Sequence, residues 1–181
     1  FNNVYVGEVW LTCGQSNMEW PIVSSATIQE ARENAHKYPL IRHLRVGHRL
    51  TRQMTKPPQD IGGFWGRPQW EDATFLIQLT CRTDIPGCQA SIPYYFAREL
   101  TKHLDGKVAV GMVDVAQILP VETWVSDETV GASDVLKPLR GQDTTSQGYN
   151  ANIVPLAPYA IRGVLYYQGE MNGGRHVVYR A

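Results

Sequence analysis

The sequence predicts a three-layer α/β/α fold built on a mostly parallel sheet, and three observations carry that expectation. Short runs rich in β-branched and aromatic residues alternate with helical patterns along the chain, the order expected of βαβ units. One of these runs, "KVAVGMVDV" (107–115), is continuously apolar, as a strand covered on both faces requires. At 181 residues the chain is about one domain's worth and long enough to bury a core,.

In chain order, "VYVGEVWL" (4–11) has the composition of a buried strand, and Gly14 ends it,. "SATIQEARENAHKY" (25–38) opens on a serine in capping position and is rich in helix formers, so it predicts a helix,. "IRHLRV" (41–46) reads as a short strand. Residues 51–70, with "KPPQDIGGFWGRPQW" at their centre, are rich in Pro, Gly and Trp and predict an irregular surface excursion,. The clearest helix is 91–104: Ile92, Phe96, Leu100 and Leu104 recur every four residues, Pro93 lies in the first turn and "DG" ends it,. The strand 107–115 follows, and "YAIRGVLYYQGE" (159–170) contains another.

Charge excludes some function classes. Seventeen Lys and Arg balance seventeen Asp and Glu, with no basic run, so neither nucleic acid nor an anionic membrane is an expected partner,. No apolar stretch approaches the roughly 20 residues of a membrane span, and "FNNVYVGEVW" has no features of a signal peptide,. A soluble chain is expected, and the abrupt start and end suggest a piece of a longer precursor. Three cysteines are too few for a disulfide scaffold and lack zinc-ligand spacing,. Cys81 and Cys88 flank "RTDIPG", whose Pro-Gly turn can bring them together in an oxidising compartment,. Cys13 has no thiolate-activating neighbour in sequence and reads as a small buried residue,.

Ligands of open α/β sheets bind beyond the carboxyl ends of the strands, and two polar clusters follow predicted strands: "CGQSNM" (13–18) and "QGEMN" (168–172). A serine on a tight strand-to-helix turn can hold its Oγ in solvent with helix amides nearby. Ser16 therefore has two readings, nucleophile or cap of the following helix. Asn172 is equally open to a turn role, and Glu170 to that of a solvated turn charge.

Together, "VGEVWLTCGQSNMEW" and "APYAIRGVLYYQGEMN" resemble the sialate O-acetylesterase family, a carbohydrate-esterase branch of the SGNH hydrolases, whose sheet is flavodoxin-like. The resemblance spans almost the whole chain. Gly14, Gln15, Ser16, Asn17 and Met18 match the family's first block, and Gln168, Gly169, Glu170 and Asn172 match a later one. "YYFARELTKHL" and "PVETW" resemble the helix and the P-x-E-x-W segment between them.

The resemblance implies a serine esterase that removes O-acetyl groups from sugars, with an acetylated sugar or glycan as substrate and no metal or organic cofactor. Ser16 would be the nucleophile. Its own amide, a second amide and the Asn172 side chain would hold the oxyanion, with Gln15, Asn17, Gln168 and Glu170 in support. The family's setting implies a secreted, periplasmic or lumenal protein, with Cys81 and Cys88 bridged and Cys13 free.

Two departures stand out. The family has Gly-Gly-Thr where this chain has Gln117, Ile118 and Leu119. Side chains there crowd the oxyanion position, and a β-branched Ile118 resists positive φ. The family's Asp-x-x-His block is also absent. His36, His43, His48 and His103 are not placed by motif, and His176 is the remaining candidate base. The chain therefore reads as the N-terminal and central part of such a domain (1–181). Either a downstream segment or a second chain would supply Asp and His. The alternatives are a degenerate carbohydrate-binding module of the same fold and a structural domain. Phe64, Trp65 and Trp70 suit stacking on a sugar in either of the first two readings, and equally a domain interface,.

Overall fold

Strands and helices alternate as the sequence predicts. The computed structural model describes residues 2, 4–46, 70–78, 90–142 and 144–181. Five strands are present among them: β1 (Gly7–Gly14), β2 (Ile41–Arg45), β3 (Glu71–Asp72), β4 (Ala109–Asp114) and β5 (Gly163–Tyr167). The helices are α1 (Ser16–Glu19), α2 (Ile28–Asn34), α3 (Ala73–Leu76), α4 (Ser91–His103), α5 (Asp127–Ala132) and α6 (His176–Arg180). The strand order is β3-β2-β4-β1-β5. β1 runs parallel to β4 and β5, β2 runs parallel to β4, and the two-residue β3 is antiparallel to β2.

Strand alternation divides the core into two layers. On one face Ile41, Val110 and Met112 meet Ile22, Ala31, Tyr94 and Ala97, so α2 and α4 cover it. On the other, Leu11, Cys13, Leu44, Val113 and Val115 pack with Leu156, Trp124 and Ile153. That face is covered by single turns at Val121–Trp124 and Tyr149–Leu156 rather than by a long helix. The fold is α/β, as expected.

Two helices differ in detail from the sequence pattern. The helix expected over 25–38 is shorter, with α2 followed by a 3-10 turn at Ala35–Lys37. Ser25 does not cap it: its hydroxyl bonds Thr27 and the Tyr95 hydroxyl, which holds 25–27 as a turn. In α4 the most buried positions are Pro93, Tyr94, Ala97 and Thr101, while Phe96, Leu100 and Leu104 pack half-buried at the flank. The expected excursion over 51–69 and the Cys81–Cys88 bridge lie outside the described residues.

Candidate active site

β1 ends where the backbone must make room for its neighbour. Gly14 has φ +133°, and a Cβ there would stand 2.1 Å from the Tyr167 carbonyl oxygen, so a side chain would be both strained and in collision. The next amide, Gln15 N–H, donates to that carbonyl at 3.0 Å. The chain then turns directly into α1, with Ser16 at its first position. Ser16 is half-buried, and its hydroxyl has no hydrogen-bond partner among the described residues. It does not cap α1: Gln15 occupies the capping position and makes no side-chain cap bond.

Two side chains beside Ser16 join the first cluster to the second. Gln15 is buried, and its Oε1 accepts from the amides of Gly169 at 3.1 Å and Met171 at 3.2 Å. Asn17 Nδ2 donates to Glu170 Oε1. Residues 14–17 and 169–171 are thus tied directly, because β1 and β5 are neighbours in the sheet. Glu170 is thereby a partner of the first cluster.

Behind this junction lies a buried polar network. Asn172, 2% exposed, accepts on Oδ1 from the Val121 amide at 2.8 Å and from Gln168 Nε2 at 2.7 Å. Its Nδ2 donates to Glu122 Oε2 at 3.0 Å. Glu122 also accepts from Arg175 Nη1 at 2.6 Å. Gln168 Nε2 donates as well to the Leu119 carbonyl at 3.3 Å, and Gln168 Oε1 is buried without a partner. The Tyr179 hydroxyl donates to the Gln168 carbonyl at 2.7 Å and anchors α6.

The segment after β4 takes a different form from the family's Gly-Gly-Thr. The Gln117 amide donates to the Gly14 carbonyl at 3.1 Å, so that N–H is already engaged. Ile118 is 62% exposed and does not have positive φ. Leu119 is buried and lends its carbonyl to Gln168.

On the α4 side, at the carboxyl end of the strands, is a second polar group. Asp114 is fully buried and accepts from the Thr12 hydroxyl at 3.2 Å and the Ala116 amide at 3.1 Å. Burial would raise its carboxyl, but the His43 ring, the Arg45 charge and the Ala116 amide reverse the sign and hold it below its ordinary range. His43 Nε2 is 3.8 Å from Asp114 Oδ2, and neither atom has a hydrogen bond. Arg45 pairs with Glu19 at 2.5 Å. Burial pushes the Glu19 carboxyl up to about 7 against the pull of Arg45.

No described histidine is hydrogen-bonded to Ser16. His43 is buried against Asp114, His176 is exposed at the start of α6, and His36 and His103 lie on exposed helix ends. His48, Phe64 and Trp65 lie outside the described residues. Trp70 does not stand with the serine. Its ring packs over Gly111 and lines a cavity of about 560 Å³ at the amino ends of β1 and β4, with Tyr5, Arg42 and Tyr159. Among the described residues no three metal-ligating side chains cluster, and no helix is long and apolar enough to cross a membrane.

Sequence reasoning did not single out Glu122, Arg175, Asp114 or His43. "PVETW" was the available signal for Glu122; Arg175 carries none, because its partner lies 53 residues away.

No protein-family model matches the chain. It is 25% identical over 179 residues to the sialate O-acetylesterases of Pongo abelii and Homo sapiens, covering 94% of this chain and 32% of each relative. A crystal structure of a carbohydrate acetylesterase from Xanthomonas citri superposes with a TM-score of 0.67 at 26% identity, over 92% of this chain and 33% of that one. The chain thus spans about a third of the length of these relatives. Sequence likeness, fold likeness and the joining of the Gly14–Met18 and Gln168–Asn172 blocks agree, and what the chain is similar to is a carbohydrate esterase of the sialate O-acetylesterase kind.

Proposed function

We propose that this chain is the nucleophile-bearing part of a serine esterase that removes O-acetyl groups from sugars. The observation that carries the reading is the Gln15 and Asn17 clamp on residues 169–171, which holds the half-buried Ser16 hydroxyl at the carboxyl edge of the sheet. Ser16 Oγ would attack the acetyl carbonyl carbon and give up its proton to a base. The tetrahedral oxyanion would collapse to an acetyl-serine, and the sugar oxygen would leave with that proton. Water would then attack the acetyl-serine, releasing acetate and regenerating the hydroxyl. The Ser16 and Ile118 amides are the candidate oxyanion donors, each worth about a hundredfold or more in rate. Asn172 Nδ2 serves the same oxyanion only through its second hydrogen, the first being given to Glu122. The base is proposed to come with its Asp from a further segment or a second chain, since no described histidine reaches Ser16.

One observation favours the second reading, a non-hydrolytic sugar-binding module. The Gln117 amide is bonded to Gly14 and so is closed to an oxyanion.

The test is acetyl transfer. The chain is incubated with an aryl acetate and an O-acetylated sugar, and the peptide containing Ser16 is examined by mass spectrometry for one added acetyl group. A slow release of acetate with acetylated Ser16 is expected, abolished by Ser16→Ala. No acetylation of Ser16, together with retained sugar binding, would replace the esterase by the binding module. If His176→Ala silences the isolated chain, His176 is the base.

A further inference from the structure

We propose that Glu122 and Arg175 are positioning residues: the buried carboxylate dictates which way the amides of Asn172 and Gln168 point. The consequence for turnover rests on the esterase reading above, whereas the geometry does not.

A carboxylate accepts hydrogen bonds and donates none, while a carboxamide can present either its oxygen or its nitrogen and occupies nearly the same space when turned over. Glu122 is 4% exposed. Its Oε1 faces Arg175 Nη1 at 2.6 Å and its Oε2 faces Asn172 at 3.0 Å. A turned Asn172 would set its carbonyl oxygen against a buried negative charge, so Asn172 must offer Nδ2 there. Its Oδ1 is then directed at Val121 N–H and Gln168, and Gln168 must offer Nε2 in reply. The second Nε2 hydrogen goes to the Leu119 carbonyl. Gln168 Oε1 is left as a buried acceptor, open to a hydroxyl or water donor. One charge therefore sets the polarity of two amides and joins three separate stretches of chain, 119–122, 168–172 and 175. Arg175, whose side chain is 43% exposed, sets a countercharge against that buried carboxylate,.

Two readouts on the full chain test this: hydrogen exchange of the Asn172 and Gln168 side-chain amides by NMR, and acetyl-ester turnover. Glu122→Gln nearly preserves shape but removes the obligatory acceptor. Both amides are expected to lose slow exchange, with kcat lowered about 10- to 100-fold and KM held within about twofold, as for a lost hydrogen bond to a charged group. Asn172→Asp places a second carboxylate against Glu122 and is expected to be at least as harmful. Combining the two moves the charge to position 172, which again accepts from Val121 and Gln168. The double variant should regain slow exchange at Gln168, a coupling that independent packing defects would not give, while kcat stays low because the carboxylate at position 172 has no N–H to offer the oxyanion. The proposal is overturned if Glu122→Gln keeps both amides protected and kcat intact, or if Gln168 exchanges as fast in the double variant as in Glu122→Gln. Should Glu122→Gln fail to fold, folding of the double variant is the expected rescue, and its failure counts against the proposal. A wild-type chain without turnover sinks the esterase reading alone, and the exchange comparison then decides this one.

Discussion

Cys13 stands one residue before the glycine that closes β1, is 6% exposed, and lies on the strand paired with the one that carries the Asp114 carboxylate. Burial, reinforced by that neighbouring charge, pushes the thiol up to about 12. The thiolate is the nucleophilic form, so the folded protein should resist iodoacetamide at pH 9 while the urea-unfolded chain reacts quickly. Equal alkylation rates in the two states, followed by mass spectrometry, would contradict this burial. The sign for stability follows from the same shift. The folded thiol binds its proton more tightly than the unfolded one, so the contribution of Cys13 is intact below the ordinary thiol range. It is lost as pH climbs from there toward 12. Inertness was legible in the sequence, because no activating residue adjoins Cys13 along the chain. The Asp114 charge was not legible as an influence on it, because β4 comes beside β1 only in the folded sheet.

At the scale of elements, composition located four strands and α4 to within a few residues, and the deepest positions of α4 lie beside the line of bulky residues that marks it as a helix. Phe96, Leu100 and Leu104 pack half-buried at the flank, whereas the buried positions are Pro93, Tyr94, Ala97 and Thr101. Thr101 can join the buried face because its hydroxyl donates to the Ala97 carbonyl at 2.8 Å,. α5 was not anticipated, although its cap has a sequence signature. Ser126 Oγ accepts from the Thr129 amide at 3.1 Å, and Asp127 and Glu128 fill the first turn, where acidic groups suit the helix dipole,. Ser126→Ala is expected to cost about 1 kcal/mol, the usual worth of such a cap, in urea unfolding. A loss indistinguishable from zero would mean that α5 is held by Val130 packing and the Arg140–Asp127 pair rather than by its cap.

For the molecule as a whole, the strand order decides what the site is made of. β1 lies between β4 and β5, so the turns after all three strands share one edge although they are far apart in sequence. Gln15 reads that arrangement directly, since one side-chain oxygen satisfies two amides more than 150 residues away. Gln15→Ala leaves both donors without their acceptor. A loss of about 1–3 kcal/mol is expected, together with faster hydrogen exchange at the Gly169 and Met171 amides. Unchanged exchange at those two amides would show that the second block holds its shape without the first. The Trp70 ring illustrates the opposite outcome: an aromatic residue that suited a sugar site from sequence lies instead over Gly111, toward the amino ends of the strands.

The sequence by itself determined the α/β class, two strands read over 4–11 and 107–115 that form at 7–14 and 109–114, and the two blocks around Ser16 and Asn172. Each of these is written in consecutive residues: apolar runs set strands, and Gly14 permits a close turn that other residues resist. Tertiary structure alone decided the partners. Glu122 meets Arg175 and Asn172, Asp114 meets His43, and the Gln117 amide is taken by Gly14, because buried polar groups must find complements among whatever the strand order brings near,. That choice depends on distances across the sheet, which no local pattern of residues contains.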